Sequence, residues 1–69
     1  MKDWKKVFSS SNHFQASLVQ QVLENNELQA ILLNKKDSAY GVFGEVEIYV
    51  SKKNVMQALK IINDEIDFR

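Results

Sequence analysis

The chain reads as a single α+β domain, residues 1–69, with the element order β-α-β-β-α, and three stretches carry that expectation. In EVEIYV (45–50), Val46, Ile48 and Val50 point one way while Glu45, Glu47 and Tyr49 point the other. Two longer segments, 10–26 and 51–66, repeat apolar residues at helical spacing. Between the first of these and EVEIYV lies LQAILLN (28–34), nearly all apolar. A strand with one wet side belongs to a sheet covered on one face only, so both helices must share that face.

Taken in order, WKKVFSS (4–10) has the Trp, Val and Phe of a first strand and ends in serines. Asn12 followed by Gln15 reads as a capping box opening the first helix, with Ser11 as the rival cap. Phe14, Leu18 and Val22, with Val19 and Leu23 beside them, make its apolar face, and Gln15, Gln20, Gln21 and Glu24 face water. The helix ends near Asn25-Asn26, because Asn tolerates the left-handed conformation that closes many helices. After the second and third strands, Ser51 caps a final helix. There Val55, Leu59, Ile62 and Ile66 form an apolar stripe, and Ala58 lets the helix lie close to the sheet.

A right-handed crossover joins the first two strands. With the third strand between them and antiparallel to both, the order is 1-3-2, the split arrangement of ferredoxin-like folds. Only Asp67-Phe68-Arg69 follow the last helix, so no fourth strand is expected and the first strand keeps an open edge. Open edges pair with other chains. A homodimer, or a protein partner completing this edge through Trp4, Lys6 and Phe8, is the expectation.

Composition narrows the function. Nine basic and nine acidic side chains cancel, which removes the cationic excess on which nucleic-acid and polybasic membrane binding rest. The start lacks the apolar core of a signal peptide, and no apolar run is long enough to span a bilayer, so a cytoplasmic protein is expected. There is no cysteine, hence no disulfide and little prospect of a zinc site. A domain this small buries only about 60% of its unfolded surface, which favours self-association.

The longest connection, NKKDSAYGVFGE (34–45), exceeds what a hairpin needs and holds both glycines. Lys35 and Lys36 offer charge for an anion, Asp37 and Ser38 a side-chain turn, and Tyr40 and Phe43 flat faces. Gly41 and Gly44 permit positive φ. Either this is a ligand or partner loop, or Tyr40 and Phe43 fold back to enlarge a small core. His13, with Ser9, Ser10, Ser11 and Asn12, could hold an anion at the helix start, or simply decorate the surface. Glu45 and Glu47 could act as paired carboxylates, but such a pair more commonly keeps an open sheet face soluble. They would also repel RNA from Trp4 and Tyr49. Neither a nucleophile with its base nor a phosphate loop is present, so no catalytic residue, metal or cofactor is expected.

WKKVF, Ala16 with Leu23-Glu24-Asn25-Asn26, NKKDSAY with FGEVEIYV, and Ala58-Leu59-Lys60-Ile61-Ile62 together resemble a family of short bacterial domains named putative prokaryotic signal-transducing proteins. The resemblance implies a ferredoxin-like fold and kinship with small PII-like regulatory domains, without an established ligand. Many members close the first helix with Gly where this chain has Glu27, and Asn26 is expected to substitute. The expected function is a small non-catalytic regulatory or adaptor domain, binding a small anionic ligand or a partner through 34–45. The alternative is a structural interaction module that pairs through the first strand's edge. An RNA-binding module is the least favoured.

Overall fold

The computed structural model describes residues 3–35 and 45–66. Its elements run β1 (Trp4–Ser10), α1 (His13–Asn25), β2 (Ala30–Asn34), β3 (Val46–Ser51), a 3-10 turn (Lys52–Asn54) and α2 (Val55–Glu65). The sheet has the order β1-β3-β2, and β3 is antiparallel to both neighbours. This is the ferredoxin-like split arrangement expected from the sequence, with three strands among the described residues. No helix among those residues is long and apolar enough to cross a membrane.

Alternation along β3 builds the core. Val46, Ile48 and Val50 are wholly buried beneath Ala16, Val19 and Leu23 of α1 and Ala58 of α2. Ala30 and Leu28 close the β2 end of the same cluster. In β1 the register jumps: Lys6 opposes Tyr49 and Phe8 opposes Ile48, leaving Val7 as the extra residue of a bulge. The bulge sets two consecutive apolar side chains, Val7 and Phe8, against the core. A seven-residue strand carrying two lysines thereby still contributes to the interior.

The start of α1 is built as expected in part. The Asn12 side-chain oxygen accepts from the backbone N–H groups of Phe14 (2.9 Å) and Gln15 (3.3 Å). Gln15 does not return the bond to Asn12. Instead the Asn12 N–H donates to Ser10 Oγ at 3.0 Å, and that hydroxyl donates to Gln15 Oε1 at 2.9 Å. The box is closed through a serine relay, and Ser11 takes no capping part.

The end of α1 differs from expectation. Asn26 has φ −97°, whereas Glu27 takes the left-handed conformation with φ 65°. Leu28 N–H donates to Leu23 O and Glu27 N–H to Glu24 O, which together make a Schellman motif. Leu23 and Leu28 both lie in the core, the apolar contact that accompanies this motif. Asn26 contributes its side chain instead, donating Nδ2–H to Val22 O at 2.8 Å.

Several placements shift for related reasons. Phe14 is 74% exposed, because Ala16, Val19 and Leu23 are what meet the sheet. Gln20 is not a solvent-facing residue: its Nε2 donates to Ala30 O at 3.0 Å, tying α1 to the start of β2. β2 begins at Ala30, after a Leu28-Gln29 lead-in, and β3 runs one residue further than EVEIYV while leaving out Glu45. Ser51 makes no side-chain cap, since the 3-10 turn separates it from α2. In α2 the buried residues are Ala58 and Ile61, and Leu59 is 45% exposed.

Candidate functional site on the open sheet face

Side chains on the helix-free face fall in rows across the sheet. Trp4 lies beside Ser51; Lys6, Tyr49 and Ile31 form the next row; Ser9, Glu47 and Leu33 follow; and Lys35 stands opposite Glu45 at the end of the ladder. Cross-strand neighbours sit about 5 Å apart and diagonal ones about 7–8 Å. A long side chain can therefore reach from one row into the next. Three of them do, and all converge on Glu47.

Tyr49 donates its hydroxyl to Glu47 Oε1 at 2.8 Å. Lys35, just past β2 and diagonal to Glu47, brings Nζ within 3.1 Å of the same oxygen. Lys6 on β1 reaches Oε2 at 3.4 Å. β1, β3 and the residue that follows β2 thus supply the cluster, and a backbone bond from Lys35 N to Glu45 O (3.0 Å) carries the β2–β3 ladder as far as Lys35. Glu47 is only 8% exposed, whereas the Lys6 and Lys35 side chains remain about half exposed, at 49% and 56%.

The electrostatics follow. Burial pushes the Glu47 carboxyl upward, but the hydrogen bonds from Tyr49, Lys35 and Lys6 and the charge of Lys35 outweigh it and hold the group below the ordinary carboxylate value. Its hydrogen bond and charge in turn raise Lys35. The bond to Glu47 raises the Tyr49 phenol, with burial adding to it. The cluster therefore holds one carboxylate, a neutral phenol and two ammonium groups, and Glu45, exposed opposite Lys35, balances the remaining positive charge.

Lys35 and Lys6 come together here, although the sequence placed one in a ligand loop and the other at a dimer edge. Lys36, Asp37, Ser38, Tyr40, Gly41, Phe43 and Gly44 lie outside the described residues. Trp4 begins β1 opposite Ser51 and is half-buried, and Phe8 packs against the core from its helix side. Ser10 and Asn12 spend their side chains on the start of α1, while His13 Nδ1 lies 3.3 Å from Ser17 Oγ on the surface. Glu45 and Glu47 are not an equivalent pair, because Glu45 is exposed and Glu47 is buried. Glu47 as a hub is what sequence reasoning missed. The signal for it is the 1-3-2 order itself, which sets a central glutamate between a lysine on β1 and one just past β2.

Among the described residues, fold and cluster define a small α+β domain with three strands and with a tethered carboxylate and paired lysines on its open face. The chain belongs to the family described as putative prokaryotic signal transducing protein, whose model matches residues 4–66. Comparison with curated proteins and with solved structures gives no match.

Proposed function

We propose that the chain is a non-catalytic regulatory or adaptor domain of the bacterial cytoplasm, and that it receives a small anionic ligand on the Lys6–Lys35 side of the open face and the adjoining 34–45 segment. The observation that supports this is the spare hydrogen-bonding capacity of the two lysines. Two lysines converge on one carboxylate, and their half-exposed ammonium groups each have three N–H donors to share. An incoming phosphate or carboxylate takes the spare donors without displacing Glu47. Glu47 meanwhile keeps the two cations from repelling each other and fixes where they point. Lys36 adds charge next in the chain, and Tyr40 offers a stacking face. Family membership as a signal-transducing type agrees with binding rather than turnover. Glu47 is held ionised and Tyr49 neutral, which suits neither group to proton transfer near neutral pH.

Titrating labelled protein with phosphate, pyrophosphate, ADP and a dicarboxylate tests this, with amide spectra as the readout. The Lys35→Ala, Lys36→Ala, Tyr40→Ala triple variant should lose binding while keeping a folded spectrum. Affinity unchanged in that variant removes the segment from the site.

A further inference from the structure

We propose that a second copy of this chain docks antiparallel along β1 and α2, joining two three-stranded sheets into one of six and burying the outer flank of α2. This does not rest on the ligand site, which lies on the opposite face of the sheet.

The first observation is a mismatch within α2. Ala58 and Ile61 are buried against the domain, and Val55, Ile62 and Ile66 of the apolar stripe pack half-buried at the margin of the core. The stripe is therefore centred to one side of the buried line, and beyond it Leu59 is 45% and neighbouring Met56 80% exposed. The direction of that offset follows from handedness. The Gln20–Ala30 bond holds α1 on the β2 side, and α2 touches β1 and β3. With a right-handed crossover and a right-handed helix, Ile61 turns toward α1 and the stripe toward the outer edge of β1. Among the described residues the sheet ends there, so the Leu59 flank of the stripe overhangs it.

A two-fold axis beside β1 satisfies strand and helix spacing together. Paired strands lie about 4.8 Å apart and packed helices 8–10 Å apart. An α2 seated between β1 and β3 meets its own copy at about that helix distance. Centring the strand pair on Val7 sets Lys5 against Ser9 of the second copy, so no lysine of the edge opposes a lysine.

Charge selects a second copy as the occupant. The start of α2 follows Lys52 and Lys53 and has no acidic residue in its first turn; its end has no basic residue and carries Asp64 and Glu65. Both ends oppose the helix's own dipole. In an antiparallel pair each lysine end meets the acidic, dipole-negative end of the other helix, and both mismatches are relieved. Zero net charge adds no long-range repulsion between copies.

Sedimentation equilibrium of the full chain from about 1 to about 500 µM decides the matter. The expected result is a monomer–dimer equilibrium within that range. Leu59→Glu should weaken it about ten-fold or more, and Met56→Lys serves where Leu59→Glu does not fold. Lys52→Glu with Lys53→Glu should also weaken dimerisation, and adding Asp64→Lys and Glu65→Lys should restore it. A monomer throughout overturns the proposal. So does a dimer indifferent to the stripe variants, or a charge swap that fails to restore association.

Discussion

Glu47 decides the chemistry of the open face through its partners. Replacing it with Gln keeps the shape but removes two ion pairs, and should cost about 1–2 kcal/mol of stability in denaturant titration at neutral pH. The pH dependence has a definite sign. The folded carboxyl titrates below its ordinary value, so its contribution is complete above about pH 4.3 and fades as pH falls through the lower folded value. The gap between the native chain and Glu47→Gln should therefore close on acidification. Glu27 acts on stability through the backbone alone. A glutamate at φ 65° carries strain that glycine does not, so Glu27→Gly should raise stability by about 0.5–1 kcal/mol, read as a higher midpoint at unchanged slope. A lower midpoint would mean that the glutamate side chain contributes more than the strain removes.

At the scale of elements, α2 should respond to its end charges. In solution dilute enough to leave the chain monomeric, Lys53→Glu should stabilise by about 0.3–1 kcal/mol, since it places an acid at the positive end of the dipole. Phe14→Ser should change thermal stability by less than about 0.5 kcal/mol, because the ring is 74% exposed. β1, α1, β2, β3 and α2 were all legible in the sequence, since strand alternation and helical spacing are local patterns. Their faces were less so. Ala16 and Ala58, the residues that let the helices meet the sheet, count little in an apolar stripe, whereas Phe14 and Leu59 count heavily and lie outside. The Val7 bulge exists only relative to β3, so no single strand announces it. The Schellman closure fell on Glu27 because Leu28 must reach the core, and that requirement overrides the residue's own preference.

For the whole molecule, zero net charge gives no hint that two lysines share one carboxylate. Lys6 and Lys35 are far apart in sequence, and only the 1-3-2 strand order gathers them on Glu47. The fold thus gathers two half-exposed lysines on one face from a chain without a basic excess. Binding there should weaken with salt, since the lysine heads are half exposed and screened within about 10 Å at 0.1 M. The most direct test is an amide-shift titration of the labelled protein with pyrophosphate at low salt. Shifts should concentrate at Lys6, Lys35, Glu47, Tyr49 and the 34–45 segment, and should vanish in Lys6→Ala with Lys35→Ala. A saturable titration whose shifts fall elsewhere, or no shifts up to millimolar ligand for any anion tried, would contradict the account.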